Sequence, residues 1–209
     1  MEEMMEPSTH NNLKKRLSKI VFESSLIIFS VLLALVLNEY IGKMKADKEK
    51  ARALQMIKIE LNENMQILNR WIPYHEQVIE NFNTAIKNFN SDKVTDDSRM
   101  FILKLMPNGV IQEMVSRSAW EALQQSSSRV SLDIETTFVL AKAYRLQELS
   151  VETTILNFIN IMNDRESMKP NNLRETLYLM RSSFQELMAQ EKNLVFVYQQ
   201  TLDELSKSE

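Results

Sequence analysis

The 209-residue chain has no cysteine, and it has only two glycines, four prolines and two histidines. Without cysteine the chain has no disulfides, iron–sulfur clusters or thiolate zinc sites. Because turns and phosphate-binding loops draw on glycine and proline, their scarcity excludes a glycine-rich nucleotide loop and favours long helices joined by few connections. We therefore predict an all-α protein without a cofactor.

The charged residues give no sign of a nucleic-acid partner or of a catalytic site. The 25 basic and 28 acidic residues interleave along the chain, which leaves no basic stripe for a phosphate backbone. His10 lies in an N-terminal tail, and the segment around His75, YHEQVIE, lacks the second histidine of a zinc-protease helix. Carboxylate pairs such as Glu60 with Glu63 are expected on a solvated helix face. We predict that the protein is not an enzyme and binds no metal.

The most distinctive stretch is an apolar run near the start of the chain. Residues 20–41 contain fourteen Leu, Ile, Val or Phe side chains in 22 positions. As a helix they would extend about 33 Å, enough to cross a hydrocarbon core of about 30 Å. Glu23, near the start of the run, is able to reach toward the lipid headgroups, and Tyr40, near its end, suits the interfacial aromatic belt. The residues that mark the predicted span are Ile20, Glu23, Leu26, Leu37, Tyr40 and Ile41.

Two other interpretations of the apolar run are open: a cleaved signal peptide and the buried helix of a soluble domain. A signal peptide needs small residues after the run, but LNEYIGKMKADKEK offers no such cleavage site. A buried helix would normally show a polar face, and no charge interrupts the run between Ser25 and Asn38. We therefore favour an uncleaved, single-pass anchor in the lipid bilayer.

Basic residues flank the apolar run on both sides, so their count does not choose an orientation. The compact cluster before the run, and the ease with which long C-terminal domains translocate, favour a cytoplasmic N-terminus. The flanking basic residues are Lys14, Lys15, Arg16 and Lys19 before the run, and Lys43, Lys45, Lys48, Lys50 and Arg52 after it.

The predicted organisation is a tail at 1–19, the anchor at 20–41, a stalk and first bundle helix at 42–72, and the rest of the bundle at 73–209.

Beyond the anchor, apolar side chains recur every three or four residues along four segments, as in helices that pack in a bundle. Pro73 predicts a kink or turn between the first two segments, and RMFILKLM and SRSAWEALQQSSS predict two short helices. We expect an antiparallel bundle of about four long helices and two short ones. The predicted seams are Leu54, Ile57, Leu61, Asn64, Leu68 and Trp71; Val78, Phe82, Ile86 and Phe89; Leu140, Tyr144, Gln147, Val151, Ile155, Phe158 and Met162; and Leu173, Leu177, Met180, Phe184, Leu187, Glu191, Leu194, Tyr198, Thr201 and Leu205.

Five residues on these segments are candidates for an interaction surface or a helix seam. Asn64 and Glu191 are polar members of apolar seams: each either sets the register between two copies of the chain or lies at a solvated edge of a single bundle. Tyr198 belongs to the last of the four seams, as does Glu191. Trp71 and Trp120 are large side chains that either pack the core or form a partner surface. Both interpretations stay open for each of them.

Four segments carry a resemblance to other proteins: ESSLIIFSVLLALVLNEY, ALQMIKIELNENMQIL, SRSAWEALQQSS and the later AKAYRLQEL. Together they resemble a group of uncharacterised bacterial single-pass membrane proteins. The resemblance implies an anchor in the inner membrane and a helical extracytoplasmic domain. The chain departs from the group at the serine run 126–128, where the related proteins usually have a glycine, so the tight turn there is not implied. The resemblance implies no activity.

These patterns lead to three hypotheses about function. The first is a membrane-anchored interaction or scaffold protein, as a homo-oligomer or as a subunit of an envelope complex. The second is an extracytoplasmic helical bundle that senses a small molecule and acts through a partner protein. The third is an unrecognised membrane-linked hydrolase.

Overall fold

A computed structural model describes residues 8–89, 98–110, 113–125 and 132–207, with side chains from residue 17 onwards. All the elements in these ranges are helical, which confirms the all-α prediction. The predicted loop SDKVTDDS, apart from its last residue, and the serine run 126–128 lie outside the described residues. The elements are α1 (Ser8–Lys87), α2 (Ser98–Leu105), α3 (Ser118–Gln125), α4 (Ile134–Gln147), a π-helical turn (Glu148–Glu152), α5 (Thr153–Asn163), a 3-10 turn (Pro170–Asn172) and α6 (Leu173–Lys207).

The chain divides into two compact units, Met1–Glu49 and Lys50–Glu209, here called unit 1 and unit 2. In unit 1 the helix begins at Ser8, so the second half of the predicted tail is helical. This part of the tail contains leucine, lysine and arginine, which are good helix formers, and it directly precedes the long apolar helix. The predicted tail at 1–19 is thus helical from Ser8 onwards.

The apolar side chains of unit 1 are exposed. Every side chain in 20–41 is exposed, and the most apolar window of the helix, with a mean hydropathy of 2.6, has none of its residues buried. Ser25 and Ser30 donate hydrogen bonds to the carbonyls of Val21 and Leu26, at 2.8 and 2.7 Å. Their hydroxyls are thus satisfied within the helix, as lipid surroundings would require. By length and composition this helix is able to cross a membrane.

A turn at Pro73, one of the two predicted outcomes, was wrong, because α1 continues as helix through the proline to Lys87. Proline removes the hydrogen bond to the carbonyl four residues earlier, here that of Asn69. Pro73 and Asn69 both lie on the exposed face of the helix, where water reaches the freed carbonyl. Leu68 and Val78 are buried on either side of the proline, and this packing offsets the local cost. The first two predicted bundle helices are therefore one.

Unit 2 is a bundle of four elements that alternate in direction. In the contacts between α1 and α6, the residue number on α6 falls as the residue number on α1 rises, so these two helices are antiparallel. The contacts between α1 and α4 run in the same order along both, so these helices are parallel. The contacts are Asn83–Arg181 and His75–Glu191 for α6, and Lys50–Asp133 and Glu60–Tyr144 for α4.

The second element of the bundle is not a continuous helix. It consists of α2, a stretch outside regular secondary structure and α3, and its described residues run back along α1 in the opposite direction. Four contacts define this path: Asn81 Nδ2 to the Leu105 carbonyl, Tyr74 Oη to the Gly109 carbonyl, Asn64 Nδ2 to the Ser116 carbonyl, and the Ala119 amide to Glu60 Oε2. We call residues 106–110 and 113–117 the strap. Gly109 in the strap has φ of +75°, a conformation that glycine adopts readily.

The core forms where the predicted seams meet. All ten predicted seam positions of α6 are buried, from Leu173 to Leu205. In α1 the seam from Ile57 to Trp71 is buried as well. Because the seams of α1, α4, α5 and α6 face one another, the heptad-like spacing of each is accounted for within a single chain.

Replacing Pro73 with alanine is expected to stabilise the bundle by about 1–3 kcal/mol, because alanine restores the backbone N–H and removes the clash with the preceding turn. The measurement is urea unfolding of the full chain in a mild detergent, followed by circular dichroism. Pro170→Ala is the control, because Pro170 begins the 3-10 turn before α6, a position that suits proline. Equal stability of Pro73→Ala and the parent chain would contradict a strained proline within α1.

Candidate functional site: a buried polar core and two exposed surfaces

Glu60 and Asn64, one turn apart on α1, hold the strap through its backbone. The carboxylate of Glu60 accepts hydrogen bonds from Ser116 Oγ at 2.8 Å, the Ala119 amide at 2.9 Å and Tyr144 Oη at 2.7 Å. The side chain of Asn64 accepts from the Ser116 amide and donates to the Ser116 carbonyl, both at 2.7 Å. This two-way contact pairs one amide side chain with both backbone polar groups of a single residue. The strap is thereby fixed against α1 at Ser116.

Two tyrosines extend this network to α4 and α6. Tyr144 is buried and stacks on Trp120, with ring centroids 5.5 Å apart and planes within 6°. Burial raises the pKa of Tyr144, and its hydrogen bond to the Glu60 carboxylate raises it further. Burial also raises the pKa of Tyr198, whose hydroxyl donates to Oε1 of Gln147. Both phenols are thus held neutral as hydrogen-bond donors inside the bundle.

A second polar contact joins α1 to α6 at His75 and Glu191, which are each about 2% exposed. Nδ1 of His75 lies 2.9 Å from Oε2 of Glu191, and Nε2 lies 3.2 Å from the Val110 carbonyl. Because that carbonyl only accepts, Nε2 carries a hydrogen. Both ring nitrogens of His75 therefore have a partner within the chain.

Aromatic rings surround His75. The Trp71 ring stacks on it at a centroid distance of 5.2 Å, and the Phe184 ring lies at 5.4 Å. Beside it is a cavity of about 20 Å³, lined in part by Trp71, His75 and Glu191. A cavity of this size holds about one water molecule. It leaves no room for a substrate next to the histidine and carboxylate.

We call the buried polar side chains around Glu60, Asn64, His75 and Glu191 the polar core. The π-helical turn between α4 and α5 lies beside it. π-Helical turns insert one extra residue, and they occur often at functional sites. Gln147, just before the turn, donates to Glu152 at 2.8 Å, and Arg117 on the strap lies 3.6 Å from the same carboxylate. The hydroxyl of Thr153 donates to the Glu148 carbonyl at 2.8 Å, across the π turn. The turn thus presents Gln147 to the core and Glu152 to the strap.

The five predicted seam or interaction residues all lie in this polar core or stack on it. Asn64 bonds to the strap, Glu191 faces His75, and Tyr198 bonds to Gln147. The two predicted tryptophans are buried, Trp71 on His75 and Trp120 on Tyr144. Their contacts are made within the one chain.

The residues of the predicted span lie elsewhere, on unit 1. Ile20, Leu26, Leu37, Tyr40 and Ile41 are exposed. The remaining member, Glu23, lies 3.9 Å from Lys19, one turn earlier on the helix.

The expectation that Glu60 lies on a solvated helix face was wrong, because this carboxylate is buried at 7% exposure. Glu63, its supposed partner, is exposed. The spacing of the sequence could have predicted the burial of Glu60, because Glu60 lies three residues after Ile57 and four before Asn64, on the inner face of α1. His75 was considered only as a metal ligand, and its contact with Glu191 was missed. Across the part of the chain that the structure describes, no three His, Asp or Glu side chains converge to hold a metal ion.

An open groove of about 590 Å³ lies between α3 and α4. Trp120, Ala141 and Tyr144 line it, and Phe138 forms one side with most of its ring exposed. Lys142 lies at the edge, among charged side chains of both signs. The volume is within the range of small-molecule sites, which is about 300–1,000 Å³.

A second exposed surface lies on the outer side of α4 and α5. Leu149, Leu156 and Ile159 expose 56%, 60% and 43% of their area. Single exposed apolar residues are normal, whereas contiguous exposed apolar patches mark interaction sites. We call these three residues the outer face.

Asn64→Ala is expected to lower the free energy of unfolding by about 2–3 kcal/mol, because it removes the partner of the Ser116 amide and leaves the Ser116 carbonyl with only the long contact of 3.5 Å from Gln147 Nε2. The measurement is urea unfolding of the full chain in detergent. Asn62→Ala is the matched control: Asn62 is exposed and bonds only to the Lys58 carbonyl one turn earlier, so a change within about 0.5 kcal/mol is expected. If the two variants were equally stable, the strap would not depend on Asn64.

Alkaline pH is expected to unfold the bundle as Tyr144 and Tyr198 lose their protons. Their raised pKa values mean that the folded chain retains protons which the unfolded chain releases near pH 10. Stability is therefore fully present below about pH 10 and falls as the pH rises above it. Ultraviolet difference spectroscopy should show two phenolates appearing together with the loss of helical circular dichroism. In Tyr144→Phe/Tyr198→Phe that step should be missing, and ionisation of either tyrosine before unfolding would contradict the prediction.

Comparison with known proteins adds no relative from which a role carries over. No protein-family model, curated protein or solved structure matches this chain. The resemblance to uncharacterised bacterial membrane proteins therefore stays a prediction, and function is argued below from the geometry of the chain.

Proposed function

We propose that the protein is a non-catalytic, single-pass membrane protein whose helical unit binds a protein partner. Unit 1 is the anchor and unit 2 is the binding unit. We place the chain in a bacterial inner membrane, with the N-terminus in the cytoplasm and unit 2 outside it. The partner is a second copy of the chain or a subunit of an envelope complex.

The observation that carries the proposal is the complete exposure of the apolar run. The buried helix of a soluble domain hides its apolar side chains, whereas here none of the most apolar window is buried. Leaving so many large apolar side chains in water is unfavourable by about 1.5–3 kcal/mol for each. A bilayer removes this cost along the whole run, and the internal hydrogen bonds of Ser25 and Ser30 suit the same surroundings.

The partner-binding part of the proposal rests on the outer face. Leu149, Leu156 and Ile159 are exposed, while the opposite side of the same helical rod is buried in the bundle. The polar core favours a binding role over a catalytic one, because the carboxylates of Glu60 and Glu191 already have partners within the chain and the cavity beside Glu191 holds about one water.

The groove between α3 and α4 favours a second candidate function, the sensing of a small molecule. Its apolar lining and charged edge suit a ligand with an apolar body and a polar group. Such a sensor would also act through a partner protein, so the outer face would serve both functions. The two candidates differ in what occupies the groove.

Photo-crosslinking in cells tests the proposal. A photoreactive amino acid at Leu149 or Leu156 is expected to give one adduct of discrete mass, identified by mass spectrometry as a single protein or as the chain itself. The same group at Lys192, an exposed residue of α6, is the control and should give none. The compartment of the captured protein would also fix the side of the membrane. Absence of an adduct at both positions, in membranes that contain the full chain, would overturn the partner-binding function.

A further inference from the structure

Ile134 is the most exposed large apolar side chain in the described part of the chain, with 89% of its area accessible. It is the first residue of α4. Phe138, one turn later on the same side, is 68% exposed. Together they form an apolar pair at the end of unit 2 where α4 begins, which we call the apolar tip.

The start of α4 is tied to the start of unit 2. Asp133 caps the helix by accepting a hydrogen bond from the Thr136 amide at 2.8 Å, and the same carboxylate lies 3.5 Å from Nζ of Lys50. Lys50 is the first residue of unit 2. The apolar tip therefore lies at the end of the bundle where the chain enters it.

The length of the chain limits how far this end is from the apolar run. Nine residues lead from Ile41, the last residue of the run, to Lys50. Nine residues extend about 14 Å as a helix and at most about 30 Å when fully stretched. In helices, side chains lean toward the N-terminus of their own helix. In α4 that direction points toward the end of the bundle that holds Lys50.

The charges at this end have both signs. Glu135 on α4 lies in one surface depression with Glu204 and Lys207 of α6, and the nearby pair is Lys50 with Asp133. A surface of mixed sign neither requires nor repels an anionic lipid. Contact would therefore depend on the two apolar side chains, as for an amphipathic helix that rests at a membrane interface.

We propose that the apolar tip inserts into the surface of the bilayer that holds the anchor. This inference rests on the proposed membrane anchor, and it adds a second attachment between unit 2 and the lipid. The occupant is the headgroup region of a phospholipid bilayer. Ile134 and Phe138 enter it from the end of the bundle that the chain itself keeps near the membrane.

The absence of cysteine allows a direct test. The full chain with one substitution, Ile134→Cys or Phe138→Cys, is labelled with an environment-sensitive fluorophore and reconstituted into phosphatidylcholine vesicles that contain a nitroxide-bearing lipid. Leu179→Cys is the matched control, because Leu179 is also exposed but lies on α6 close to Arg181, which contacts Asn83 far along α1 from Lys50. Val31→Cys, within the apolar run, reports on the anchor itself.

Labels at 134 and 138 are expected to be quenched by the nitroxide lipid and to lose most of their accessibility to aqueous iodide, while the label at 179 stays accessible. Quenching at 31 but not at 134 or 138 would overturn the insertion and leave the anchor in place. A label at 134 that is shielded from both lipid and iodide would also overturn it, in favour of a second copy of the chain. Absence of quenching at 31 would remove the anchor and the insertion together.

Discussion

Unit 2 depends on one constraint: the peptide groups of the strap lie against α1 and need hydrogen-bond partners there. In a regular four-helix bundle the second element would be a helix that satisfies its own backbone. Here α1 provides those partners from one face, and Asn64, Tyr74 and His75 each bond to a backbone group of the strap. The polar residues in the buried face of α1 thus supply the hydrogen-bond partners that the non-helical strap opposite them cannot supply for itself.

The same constraint explains why carboxylates lie in an otherwise apolar core. Glu60 accepts three hydrogen bonds and Glu191 faces His75, so neither is buried without a partner. Such contacts add little net stability, because desolvation offsets the attraction, yet the loss of one partner is costly. We infer that the polar core determines where the strap packs on α1 more than it increases the free energy of unfolding.

Periodicity predicted the buried faces well, because a three-four repeat of apolar residues reports the burial of one side of a helix. It predicted all ten seam positions of α6, including Glu191. It did not predict the continuity of α1 at Pro73, because the cost of a proline is local whereas the packing that offsets it is not. The burial of Glu60 depends on Ser116 and Tyr144, which are 56 and 84 residues away. A local pattern carries no information about such partners.

Helix α1 contains two different apolar patterns, and the change between them coincides with a change in burial. In 20–41 apolar residues cover every side of the helix and all are exposed, whereas from Ile57 onwards most of them lie on one buried face, with Ile59 as an exposed exception. An apolar surface on all sides is stabilised only by surroundings without water, and a single apolar face is stabilised by a protein core. The distribution of apolar residues around the helix, more than their number, therefore separates the part of α1 suited to lipid from the part that builds the bundle.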